Sequence, residues 1–423
     1  MHRKSITLPY VVTATLLGNT VQWYDYHLFN FLAPILTEVF FPPGHNFASF
    51  SYSVLLIIMH GISRLLGAFF FGYEGDKKGR RIALISSISL MTIATFCIGF
   101  LPSFSVIGWV APCSFAILRC IQSFAAGGEF TGGMLYLVES APPEKRGFYG
   151  SFAFFGLSVG IFFSSLNYFF FGMDLSENEF LRWGWRILYL FGGLLGLIVA
   201  LLRKKFHETH LFLEGKRVLK GEKNPIFELF YHHKKSLVKT FGIGILEAAA
   251  FNLLIGFLIY YWSQVLSFPL KDSLTINLIG VFCFPFFILI SGKWTAIWKI
   301  KKQAVATAFL FIIFSLPVFV WMEHGLMIER TIGFVFLLAL LAGYMVCLPG
   351  IYCELFPTRV RYIGIGLGYN LAVALIGGTT PESIIYLAKW LTPLVNAGVY
   401  LTLAAILSLI TLLKTKEKIL SIP

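Results

Sequence analysis

Five ionisable side chains stand inside long apolar runs: Asp25, Arg64, Arg119, Glu129 and Glu247. A charge at a bilayer centre costs at least ~2.5–3.5 kcal/mol on the mildest insertion scale, so such residues serve function or pair across helices. Gly18, Gln22, Asp25 and Phe29 recur at i, i+4, i+7 and i+11, which sets them on one helical face. Arg119, Gln122, Ala126, Glu129 and Gly133 align in the same way in a later run. In antiparallel neighbouring helices, Asp25 and Arg119 fall at comparable depth. Burial and a nearby cation act on a carboxyl's proton affinity in opposite senses. An acid beside a base can therefore work as a proton switch, in which protonating Asp25 frees Arg119. Fully ionised, the five charges sum to −1, so one proton would neutralise the set.

Glu247, with Asn252 following it, reads either as the site for a substrate's cationic end, as a second proton site, or as half of an ion pair. Arg64, with His60 one turn before it, reads as the partner of a substrate carboxylate. A cationic and an anionic clamp together suit a zwitterion. Tyr26 joins Trp23, Phe29, Tyr260 and Tyr261 as rings able to face a quaternary ammonium. With 17% aromatic residues in the chain, most such rings must be packing or lipid contacts. For Glu129 the neighbouring Gly127-Gly128 favours a structural tie between close-packed helices.

The elements that position these residues are membrane helices. Of 423 residues, 57% are hydrophobic and 13% charged, against about 25% charged in soluble domains. Runs of the ~20 apolar residues a span requires recur near 9–38, 50–73, 81–100, 107–137, 148–171, 184–203, 238–265, 274–297, 303–321, 329–351, 363–387 and 393–413. The eighth is interrupted by Pro285 and Gly292. With a cytoplasmic N-terminus, 27 of the 34 Lys and Arg fall inside, five outside and two within spans. That asymmetry obeys the positive-inside rule and requires an even number of spans with both termini cytoplasmic. The net charge of +13 is then an orientation signal, and no nucleic-acid partner is implied.

The stretch 203–239, with ten basic residues, is the longest polar segment. It divides the chain into a six-helix bundle at 1–203, a cytoplasmic linker at 204–237 and a second six-helix bundle at 238–423. A repeat supports the division: Glu139-x-x-Pro142-x-x-x-Arg146 follows the fourth span and Glu354-x-x-Pro357-x-x-x-Arg361 follows the tenth. The six cysteines lack metal-ligand spacing, and free Cys packs as a small hydrophobe. No nucleophile–base set, metal spacing or phosphate loop is present in the sequence, so neither an enzyme nor a cofactor is expected.

The loop Gly72-Tyr-Glu-Gly-Asp76-Lys77-Lys78-Gly79-Arg80-Arg81 resembles the signature loop of the major facilitator superfamily. Gly18-Asn19-x-x-Gln22-Trp23-Tyr24-Asp25, Gln122-Ser123-x-x-x-Gly127-Gly128-Glu129 and Phe356-Pro357-Thr358-x-x-Arg361 resemble its metabolite:proton symporter branch. The resemblance implies an all-α polytopic fold, twelve transmembrane helices in two bundles, in a bacterial inner membrane. It implies that Gly72, Asp76, Lys77, Gly79 and Arg80 form a cytoplasmic gate together with Glu139, Arg146, Glu354 and Arg361, and that Asp25 and Arg119 couple protons. Gln22, Tyr26, His60, Arg64, Gln122, Glu247 and Asn252 become substrate-site candidates. The second-half loop, Gly292 to Lys302, has Ala296 at the acid position, so no matching latch is expected there. The implied activity is proton-coupled uptake of a small zwitterion or organic acid by a chain working as a monomer, with substrate, proton and lipid as its partners. An efflux antiporter is the rival within the fold, although the fifth span shows Gly156-x-x-x-Gly160 without the proline typical of exporters. A non-transporting receptor on the same fold is the third reading.

Overall fold

The computed structural model describes residues 7–41, 46–174, 179–218, 224–387 and 392–415. Among these the chain is helical, with no β-strand. The spanning helices of the first bundle are α1 (Leu8–Phe40), α2 (Asn46–Lys77), α3 (Arg80–Phe100), α4 (Val110–Ser140), α5 (Arg146–Asp174) and α6 (Trp185–Arg203). Those of the second are α7 (Lys234–Phe251), α8 (Leu270–Trp298), α9 (Ile300–Glu323), α10 (Met327–Met345, resuming as Leu348–Leu355), α11 (Arg361–Ala372) and α12 (Pro393–Leu413). Among the described residues, ten runs from Arg80–Phe100 onward are long and apolar enough to cross a membrane. α1 and α2, of 33 and 32 residues, reach roughly 50 Å at 1.5 Å per residue.

Helix packing repeats between the bundles. The contacts α1·α5, α2·α4 and α3·α6 recur six helices later as α7·α11, α8·α10 and α9·α12. The bundles meet along α2·α11 and α5·α8, a pairing that maps onto itself under the same shift. Local turns repeat as well. A 3-10 turn at Pro143–Lys145 leads into α5 at Arg146, and one at Thr358–Val360 leads into α11 at Arg361. Gly79 takes φ 125 between α2 and α3, while Lys299, seven residues after Gly292 as Gly79 is after Gly72, takes φ 59 between α8 and α9. The backbone repeat thus outlasts the loss of the acid and the glycine.

α8 runs unbroken from Leu270 to Trp298, with Pro285 inside it and buried. The expected interruption does not occur, because neighbouring helices in a membrane bundle re-satisfy the backbone groups that proline frees. α7 and α11 instead carry irregularities that hydropathy does not reveal. α7 continues through π-helical turns at Asn252–Phe257 and Tyr261–Val265, and α11 through one at Val373–Gly377. Such π-turns concentrate at functional sites. Exposed apolar residues such as Ile93, Phe100, Phe286 and Leu407 mark the outer surface, the contact expected with lipid tails.

Candidate functional site

The face carrying the turn between α2 and α3 is tied shut by a buried ionic cluster. Asp76, in the last turn of α2, accepts hydrogen bonds from the backbone N–H groups of Tyr362 (3.1 Å) and Ile363 (2.9 Å). These are orphan donors at the start of α11, where a carboxylate also complements the helix dipole. Arg80 donates from Nη1 to Asp76 Oδ1 (2.7 Å) and from Nη2 to the Thr358 carbonyl (2.6 Å). Its Nε lies 3.4 Å from Glu139 Oε2, and Arg361 Nη1 donates to Glu139 Oε1 at 2.9 Å. The acid of the first repeat therefore pairs with the base of the second. Gly72 leaves room for the α11 backbone at Ile363.

The remaining gate candidates are peripheral to this cluster. Lys77 is exposed and reaches the Tyr73 hydroxyl (3.2 Å). Arg146 begins α5, close enough to Glu139 and Arg361 to feel their charges, but its Nε finds no acceptor. Glu354 lies half-buried at the end of the tenth span.

The linker contributes two groups that the sequence did not mark. Glu208 accepts from the N–H groups of Arg80 (3.0 Å) and Arg81 (3.3 Å), capping α3, and the Thr209 hydroxyl donates to Glu139 Oε2 (2.7 Å). Burial pushes the Glu208 carboxyl above the usual carboxylate range, against the opposing pull of its N–H donors and of Arg80.

Towards the opposite face lies a cavity of about 520 Å³. Tyr26, His60, Arg64, Arg119 and Asn252 line it together with apolar side chains. Asp25 sits behind this wall. Its Oδ2 lies 3.5 Å from Arg119 Nη1, and Gln122 bridges the two by accepting from Arg119 (2.6 Å) and donating to Asp25 Oδ1 (2.9 Å). Thr95, absent from the sequence reading, also bonds Asp25 (3.4 Å) and Gln122 (2.8 Å). Arg119 stacks 3.8 Å above the Phe29 ring. Gln22 donates weakly to the Ala126 carbonyl (3.4 Å), and its Oε1 has no hydrogen-bond partner.

Arg64 is 3% exposed. Its Nε donates to Asn370 Oδ1 (2.7 Å), while its Nη2 has no acceptor. Asn370 in turn donates to the Gly127 carbonyl (3.1 Å), so one α11 amide links α2 and α4 across the bundle interface. A Cβ on Gly127 would collide with the Arg64 carbonyl, which explains the glycine there. Glu247 accepts from the Tyr369 hydroxyl (3.3 Å), and its Oε2 has no partner. Glu247 makes no direct ion pair among the described residues, although Arg64 is near enough to act on its carboxyl.

Glu129 does not join Asp25 despite sharing its helix face with Arg119. It pairs with Arg203 (2.6 Å) and accepts from Ser87 (2.7 Å), with both charged side chains fully enclosed. Arg203, placed in the polar stretch by sequence, is thus a buried sixth charge that enters beside Gly18. The expected sum of −1 is corrected to zero.

A model of the sugar (and other) transporter family matches residues 10–229. The proline/betaine transporter of Salmonella typhimurium is 30% identical over 421 residues, spanning 96% of this chain and 83% of the relative. The glycine betaine/proline/ectoine/pipecolic acid transporter OusA of Dickeya dadantii is 31% identical over 424 residues, with the same coverages of 96% and 83%.

The chain belongs to the sugar (and other) transporter family of the major facilitator superfamily.

This major facilitator protein is similar in fold to the proton:xylose symporter XylE bound to 6-bromo-6-deoxy-D-glucose, with TM-score 0.79 at 16% identity, covering 96% of this chain and 94% of that one. It is a multi-pass inner-membrane transporter, not an enzyme. Within this transporter, Tyr369 and Asn370 join Thr95 as candidate site residues that sequence reasoning passed over. The signal of Tyr369 and Asn370 was available, since they interrupt an otherwise small and apolar stretch of α11.

Proposed function

We propose that this transporter takes up a small zwitterionic or organic-acid metabolite together with a proton, by alternating access. The observation that carries the reading is the Asp25–Gln122–Arg119 bridge, whose Arg119 lines the cavity. The positive-inside asymmetry assigns the ionic cluster and both termini to the cytoplasm. The described conformation is then closed inward, with its cavity in the outer half.

A proton arriving from outside neutralises Asp25 and releases Arg119 Nη1 from its counter-charge. The freed guanidinium then has a free-energy incentive to hold an anionic group, since a buried charge left unpaired costs several kcal/mol. Binding of proton and substrate together relieves both charges, which favours closure of the outer half. The bundles, read as 1–203 and 238–423, then rock about α2·α11 and α5·α8. Asp76 leaves the start of α11, Arg361 leaves Glu139, and the inner side opens. On the cytoplasmic side Asp25 releases its proton, and the Arg119 pair re-forms as substrate departs. Each chain holds a whole pathway, so the monomer is the working unit.

The test is uptake into proteoliposomes under an imposed pH gradient, acid outside, across amino acids, betaines and carboxylates. Accumulation above equilibrium that collapses with a protonophore is expected for at least one class. Uptake of a substrate that ignores the gradient would contradict proton coupling.

A further inference from the structure

The cavity wall narrows the substrate, granted the transport reading above. We infer that the substrate is a monocarboxylate on an apolar body, held at its carboxylate by Arg64 and Arg119, and that it carries no cationic group. Among the described residues lining the cavity, two carry permanent positive charge and none carries negative charge. Phe29, Leu36, Phe41, Leu65 and Phe115 make most of the remaining wall apolar. Its volume of about 520 Å³ lies within the ordinary range of small-molecule pockets.

Arg64 is the anchor. It is almost wholly buried, with no acidic partner in an ion pair among the described residues, and its Nη2 lacks an acceptor. A buried guanidinium with an idle donor is costly unless an anion completes it. Arg119 lines the same cavity, and protonation of Asp25 frees it to share that anion.

A zwitterion's ammonium would lack a counter-charge in this cavity. Glu247 is the acid that could meet it, yet it does not line the cavity and is held behind it by Tyr369. The Phe29 face that could receive a quaternary ammonium is covered by Arg119.

Charge balance agrees. Asp25, Arg119, Arg64 and Glu247 sum to zero when ionised. A monoanion entering with one proton keeps the occluded complex neutral, whereas a zwitterion with one proton leaves it at +1. Burying that extra charge at membrane depth is unfavourable.

The test uses the purified full chain, with melting temperature as the binding readout. The probes are cyclohexanecarboxylate and benzoate, their neutral counterparts cyclohexylmethanol and benzyl alcohol, and the zwitterions trimethylglycine and pipecolate. Both carboxylates should bind at least about tenfold more tightly than their alcohols or either zwitterion, the margin of a charge-assisted hydrogen bond. Arg64→Gln should erase that preference and Arg64→Lys should keep part of it. If the Gln variant does not fold, the ranking on the wild type decides. A zwitterion that binds as tightly as the carboxylates, or failure of both carboxylates to bind, overturns the inference. In proteoliposomes, carboxylate uptake should respond to a pH gradient and not to a potassium diffusion potential; stimulation by the potential also overturns it. Carboxylate binding without proton-driven uptake would sink the coupling reading and leave the anion site standing. Proton-driven uptake of a zwitterion would do the reverse.

Discussion

Two acid–base contacts in the first bundle differ in kind although both are buried. Asp25 and Arg119 stand 3.5 Å apart and share Gln122, with Arg119 lining the cavity and Asp25 behind it. Glu129 and Arg203 stand 2.6 Å apart and are sealed from every side. A loose, bridged contact at a cavity can gain or lose a proton without dismantling the fold, whereas a sealed pair serves as a tie. Removing one member of such a tie leaves a lone buried charge and costs about 3–5 kcal/mol, while replacing both with apolar residues is often neutral. Glu129→Gln and Arg203→Gln should therefore each lower thermal stability sharply, and the double change Glu129→Met with Arg203→Met should recover most of it. A double variant no more stable than the worse single would show that the pair is not a structural tie. The sequence could not pair these two residues. Arg203 ends an apolar run beside Lys204 and Lys205, which reads as an ordinary membrane-edge base, and its approach to Gly18 exists only after α1 and α6 pack. Asp25, Arg64, Arg119 and Glu247 were visible because charge inside an apolar run is costly wherever the chain folds.

At the scale of elements, each of the twelve apolar runs read from the sequence coincides with a long helix, and ten of these, from Arg80–Phe100 onward, are apolar enough by hydropathy to cross a bilayer. The π-turns of α7 and α11 were not visible, because a one-residue widening leaves hydropathy unchanged. They matter for the site: Asn252 opens one, Val373 opens the other, and both line the cavity. The signature loop carries by resemblance the expectation of a latch, and in the structure its acid caps a helix. Asp76 satisfies two orphan N–H groups of α11 while holding Arg80. Asp76→Asn keeps the shape, halves the acceptor capacity and removes the charge that complements the helix dipole. Turnover should slow several-fold with substrate affinity nearly unchanged, as seen in uptake rates against concentration. Lost binding with normal turnover would contradict the gate role. The linker's share in this closure, through Glu208 and Thr209, was hidden because a polar, basic stretch ordinarily reads as solvated.

Across the whole molecule, closure on one face and the cavity towards the other are consequences of the same duplicated architecture. The repeat brings Glu139 of one bundle to Arg361 of the other, and Asp76 to the start of α11, so on the proposed alternating-access cycle closure of this face is an inter-bundle bond that rocking must break. Arg64 and Asn370 form a second inter-bundle link at the cavity wall, where substrate is proposed to bind. Substrate and proton can shift the equilibrium between the two states only through a difference in their affinity for each. For the proton, that difference is proposed to lie at Asp25. The most direct measurement is substrate-evoked proton movement into proteoliposomes loaded with a pH-sensitive dye, wild type against Asp25→Asn, with substrate exchange recorded in parallel. Wild-type vesicles should acidify on addition of substrate, and the Asn variant should exchange substrate without acidifying. Substrate-evoked acidification that persists in the Asn variant would contradict the account.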